Sequence, residues 1–124
     1  MVLRNAGGRV TPAFLRDLEM LGLVTAKRGG DPGALELVLM QHTRCGAGGL
    51  AEDHPDRAAA YLDVPVERLA ERSPGDPHEG VRADIEALAG EQSVPGSISV
   101  SGVVYDIDTG RVDQVERRSP LRAL

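Results

Sequence analysis

The stretch LELVLMQHTRCGAGG, residues 35–49, changes character at its middle. Leu35 to Met40 is a nearly unbroken apolar run of strand length. Such a run suits a strand covered on both faces, as in a parallel sheet. The chain then turns polar. His42 is followed three residues later by Cys45, the only cysteine, and then by Gly46, Gly48 and Gly49. Sites in open α/β sheets lie beyond the carboxyl ends of strands, which is where this reading places His42 and Cys45. The residues alone leave two readings open. The pair is half of a zinc site, since zinc takes thiolate sulfur and imidazole nitrogen, or it is a buried inert Cys beside a surface His. The glycines are expected to supply the sharp turn that a shared ion needs, because glycine accepts positive φ.

Outward from this stretch, strand and helix signals alternate. Met1–Arg4 is short and apolar and is read as a strand ended by Asn5–Gly8. Thr11 and Pro12 begin a helix with Phe14, Leu15, Leu18 and Leu21 at helical spacing, a capping hydroxyl followed by proline at the first helical position. Two short helices are expected within residues 53–73. A better one starts at Asp76–Pro77, with Glu79 at capping-box spacing and Val81, Ile85 and Leu88 as its apolar stripe. Ser97–Asp106 reads as a strand, Asp108–Gly110 as a turn, and the residues after it as a more polar strand. The alternation predicts one α/β domain over residues 1–124, a mostly parallel β-sheet flanked by helices on both faces.

Composition narrows the function classes. A chain of 124 residues suits one domain with one core. It is 41% hydrophobic but only 2% aromatic, so Leu, Val, Ile and Ala must fill that core. A net charge of −5 argues against a nucleic-acid surface. No apolar run is long enough to cross a bilayer, and the start carries no secretory pattern. One cysteine cannot form an internal disulfide, so a reducing, cytoplasmic setting is expected.

Three segments taken together resemble the β-class carbonic anhydrases. RNAGG (Arg4–Gly8), HTRCG (His42–Gly46) and GVVYDIDTGRV (Gly102–Val112) occur in that family's order. The resemblance implies that His42 and Cys45 are two of the zinc ligands. It also implies that Asn5, Ala6, Gly7 and Gly46 line the substrate pocket, with Arg4 and Gly8 in the same segment. Arg44, at the variable position of H-T-x-C, is read as solvated. The implied cofactor is zinc, and the implied activity is reversible hydration of carbon dioxide to bicarbonate, with zinc making a bound water nucleophilic near neutral pH. Carbonyl sulfide or carbon disulfide hydrolysis is a related alternative, and a non-catalytic structural or interaction protein is another. The implied partner is a second copy of the chain, in a homodimer or larger assembly.

One departure from the family stands out. Its first zinc ligand and an Asp–Arg dyad come from a C-x-D-x-R segment, on a central strand preceding R-N-A-G, and these 124 residues contain no match to it. The sequence is therefore expected to be a fragment, a naturally shortened homologue, or a chain that completes its site from elsewhere. Hydration by this chain alone is expected to be weak or absent. The spare donors within it are Asp31, Asp53, His54 and His78.

Overall fold

In the computed structural model, which describes residues 1–122, each long helix begins where the local chemistry places it. The Thr11 hydroxyl accepts the Phe14 amide at 3.2 Å and opens α1 (Pro12–Lys27). The Asp76 carboxylate accepts the His78 amide at 2.9 Å and opens α5 (Pro77–Ala89). That backbone hydrogen bond holds the Asp76 carboxyl below its ordinary value. A depressed folded pKa means the cap contributes above the unfolded-state pKa and is lost as pH falls through the folded one. Glu79 does not close the expected capping box; it turns to Arg82 at 2.5 Å.

Between α1 and α5 lie strand β1 (Glu36–His42) and three short helices: α2 (Leu50–Asp53), α3 (Pro55–Leu62) and α4 (Leu69–Arg72). Strands β2 (Ser99–Tyr105) and β3 (Val112–Pro120) follow α5. The sheet order is β1-β2-β3. Strand β1 pairs in parallel with β2, from Glu36 opposite Ser99 to His42 opposite Tyr105. Strand β3 returns antiparallel, with Tyr105 opposite Val112, and the register shifts around Gly102. The chain is thus α/β with a mixed sheet, and the turn read at Asp108–Gly110 joins its antiparallel half.

One side of the sheet holds the main core. Leu39 and Val100 pack with Leu18 of α1, Leu88 of α5 and with Ile98. Fully burying such a side chain is worth about 1.5–3 kcal/mol. A second, smaller cluster joins Ala59, Leu62 and Leu69 of α3 and α4. The opposite side of β1 is open: Val38 is 52% and Met40 53% exposed. The expected cover on both faces is therefore not found among the described residues, because α1 and α5 both turn their apolar stripes to the Leu39 side.

Met1–Arg4, expected as a strand, is not one. Strand structure needs a neighbour to pair the amides, and β1 pairs only with β2 among the described residues. Met1 and Val2 are exposed.

At Gly102 the strand comes so close to α5 that an added Cβ would overlap Val81 and crowd Ile85 at 3.1 Å. Val81 is fully buried and has nowhere to move. Gly102→Ala should lower unfolding free energy by about 1–3 kcal/mol, read as a lower urea midpoint at unchanged m-value. An unchanged midpoint would contradict the close approach.

Candidate functional site

The loop before α1 is held by one side chain. Asn5 Oδ1 accepts the Arg9 amide at 2.8 Å, and Asn5 Nδ2 donates to the Arg9 carbonyl at 2.7 Å. Within this staple Gly7 and Gly8 take positive φ, 84° and 64°. A Cβ on Gly8 would overlap the Met40 carbonyl, so the loop lies directly against the end of β1.

Strand β1 delivers the other half of the site. The Thr43 amide donates to the Tyr105 carbonyl at 3.0 Å, adding one rung beyond His42. The Thr43 hydroxyl then accepts the Ile107 amide at 3.1 Å. The turn that brings Cys45 round is made by Arg44 at φ 54°. The three glycines expected to supply positive φ do not: Gly46–Gly49 forms a 3₁₀ turn with ordinary backbone angles. Arg44 is exposed and pairs with Asp108 at 3.2 Å, which anchors the strained residue.

Beyond the end of β1 lies a cavity of about 630 Å³. His42 and Cys45 both line it, as do Ala6 and Gly7. Asn5 and Gly46, expected in the pocket, are not among its lining residues; Asn5 is spent on the loop staple. The His42 ring places Nδ1 at 2.7 Å from the Thr43 carbonyl. A carbonyl only accepts, so Nδ1 carries the proton and the neutral ring keeps its lone pair on Nε2. Cys45 is a half-buried free thiol.

The opposite wall comes from α2 and α3, with Leu50, Ala51, Ala58, Leu62 and Tyr61. The Tyr61 hydroxyl accepts the Ala6 amide at 3.1 Å and ties α3 to the glycine loop. The floor is built on Asp84, only 1% exposed. Arg9 grips it with Nε and Nη2, both at 2.9 Å. The Val10 amide donates to it at 3.0 Å and Gln41 at 3.4 Å, and Arg72 donates from α4. One carboxylate thereby joins the loop, β1, α4 and α5. Sequence reading passed over it. The available signal was an acidic residue between Val81 and Leu88, on the buried stripe of an amphipathic helix.

No family model matches the chain. "Beta-carbonic anhydrase 1" of Mycobacterium tuberculosis is 28% identical over 114 residues, covering 92% of this chain and 66% of that protein. The solved carbonic anhydrase from Streptococcus mutans is 34% identical, with a TM-score of 0.59, over 92% of this chain and 65% of that one. The chain is a β-carbonic-anhydrase-like protein. A carbon disulfide hydrolase shares the fold of this β-carbonic-anhydrase-like chain at 21% identity and a TM-score of 0.57, over 90% of this chain and 63% of that one. The chain spans just under two thirds of the length of the relatives it matches.

The donors of this β-carbonic-anhydrase-like protein suit zinc in kind but not in number. Among the described residues no group of three His, Cys, Asp or Glu side chains stands where it would hold a metal ion. His54 lines the cavity without joining such a group, and Asp53 does not line it. His78 lies between Asp76 and Asp113, and Asp31 accepts the Gly33 amide far from the site. Two donors do not make a zinc centre, which takes three protein ligands even where one position stays open.

Three substitutions probe this arrangement. Asp84→Asn leaves two guanidiniums around a neutral amide and should cost about 3–5 kcal/mol, whereas Glu71→Gln, in an exposed pair with Arg68, should cost less than about 1 kcal/mol. Urea denaturation of both variants checks the contrast. Arg44→Gly should be neutral or stabilising, since a side chain in the left-handed region costs about 1–2 kcal/mol, and a drop in melting temperature would count against a strained turn.

Proposed function

We propose that this chain carries most of a carbonic-anhydrase site for reversible hydration of carbon dioxide, and that alone it has weak or no hydration activity. The observation that carries the reading is His42 and Cys45 on the wall of one cavity at the carboxyl end of β1, in a β-carbonic-anhydrase-like fold. The α2–α3 wall is largely apolar and suits a small uncharged substrate. Activity then depends on a third zinc ligand from outside the described residues, which the family supplies in its C-x-D-x-R segment. Likeness in fold to a carbon disulfide hydrolase supports the same cavity accepting carbon disulfide or carbonyl sulfide as a second reading.

Self-association belongs to this proposal. Among the described residues strand β1 has one unpaired edge, and its open face carries Val38 and Met40; free edges of this kind seek partners. A second copy of the chain is the proposed occupant, in a dimer or larger assembly, with Val38 and Met40 also open to the non-catalytic interaction role. The proposed setting is the reducing cytoplasm, which keeps the Cys45 thiol free.

The test measures zinc content together with carbon dioxide hydration, for this chain, for Cys45→Ser, and for the chain extended by an N-terminal C-x-D-x-R segment. The 124-residue chain should hold zinc loosely, losing it to a chelator and as pH falls, because protons compete for thiolate and imidazole. Its hydration should sit near background, and the extension should restore it. Full activity in the unextended chain would reveal a third ligand within it. Absence of zinc from the extended protein, with no effect of Cys45→Ser, would sink the reading.

A further inference from the structure

Two guanidiniums share one buried carboxylate at the floor of the cavity. The Arg9 and Arg72 side chains are 11% and 14% exposed. Against Asp84 they leave one positive charge over. The cluster's other side chains, Gln41 and Ser73, are neutral. The Arg72 and Val10 carbonyls accept from the guanidiniums and offset part of the excess, but neither is a counter-charge. A buried charge without a partner is costly.

The excess opens onto the cavity. Arg9 lines it and Arg72 does not. A guanidinium has five N–H donors. Arg9 spends Nε on Asp84, both Nη2 donors on Asp84 and the Arg72 carbonyl, and one Nη1 donor on Ser73. Among the described residues one Nη1 donor is left over.

Of the remaining charged groups on the wall, Arg44 and Arg57 are cationic and Asp76 is anionic. Arg44 is already paired with Asp108. Asp76, the one carboxylate on the wall among the described residues, accepts the His78 amide at the start of α5 and leaves the cations in excess. Arg57 of α3 lines the cavity and has no ion-pair partner among the described residues. Glu52, Asp53 and Asp56 adjoin it in sequence but are not part of the wall. A cationic cleft in a chain of net charge −5 concentrates small anions against the field of the molecule.

We propose that the cavity binds a small monovalent oxyanion between Arg9 at its floor and Arg57 at its wall. In the carbonic-anhydrase reading, on which the choice of anion rests, that ligand is bicarbonate, and Arg57 is a residue that recruits and holds it. Arg57 is exposed and outside the core, so its replacement leaves the fold standing.

The experiment titrates sodium bicarbonate into the ¹⁵N-labelled chain at constant ionic strength, with sodium chloride as the balancing salt, and follows the Arg Nε–H and backbone amide signals. Saturable shifts at Arg9, Gly7 and Arg57 are expected. Arg57→Gln should raise the dissociation constant at least tenfold, Arg57→Lys should retain part of the affinity, and Arg118→Gln, on the far strand, should change nothing. Shifts that are absent or do not saturate, or equal affinity in Arg57→Gln, overturn the proposal. Hydration by the extended chain is scored separately. Binding that depends on Arg57 in a protein inactive even when extended removes the carbonic-anhydrase reading and leaves the anion site. Hydration with Arg57-independent binding does the reverse.

Discussion

The Asp84 carboxylate is the constraint on which the arrangement of the site depends. A charge this deeply buried must be met by charge and hydrogen bonds or the fold is penalised. Meeting it draws Arg9 and Val10 from the loop before α1, Gln41 from β1 and Arg72 from the end of α4 onto one point of α5. Gln41 immediately precedes His42, and Arg9 is stapled by Asn5 to the glycine loop. The positions of the His42 and Ala6–Gly7 walls therefore follow from one buried anion. The apolar core lies on the same Leu39–Val100 side of the sheet and includes Val10, so it backs the polar cluster.

The cavity separates two bodies of unequal solidity. On one side is the sheet with α1 and α5, built on a continuous core. On the other is the α2–α4 segment, whose own cluster is only Ala59, Leu62 and Leu69 with their half-buried neighbours. Few apolar contacts hold that segment, so the polar ties across the cavity carry weight: Tyr61 to the Ala6 amide, and Arg72 to Asp84 and the Val10 carbonyl. The result is a site wall positioned by hydrogen bonds and charge, with a positive excess facing the space it encloses.

Much of this was readable in advance, for local reasons. Thr11–Pro12 and Asp76–Pro77 open helices through backbone and side-chain chemistry spanning three residues. Leu35–Met40 and Ser97–Asp106 announced their strands by β-branched and apolar density, and Asp108–Gly110 its turn. The placement of His42 and Cys45 at a strand end needed only the strand's length. What failed depended on partners. Met1–Arg4 has strand composition but pairs with no strand among the described residues. Gly46, Gly48 and Gly49 have the freedom for a sharp turn, yet Arg44 makes it, because the Thr43 rung and the Asp108 ion pair hold that residue in the left-handed region.

The sequence by itself determined the α/β class, the helix starts, the strand carrying H-T-x-C and the family likeness, since these rest on periodicity, capping and short motifs. Only the tertiary structure decided that Asp84 is a buried counter-ion and not a solvated helix residue. It alone decided that Asn5 is a staple and not a pocket wall, and that the second side of β1 is open. Those outcomes depend on contacts between residues dozens of positions apart, such as Arg9 with Asp84. No local pattern specifies which distant partner a charged or amide side chain will find once the apolar faces have closed.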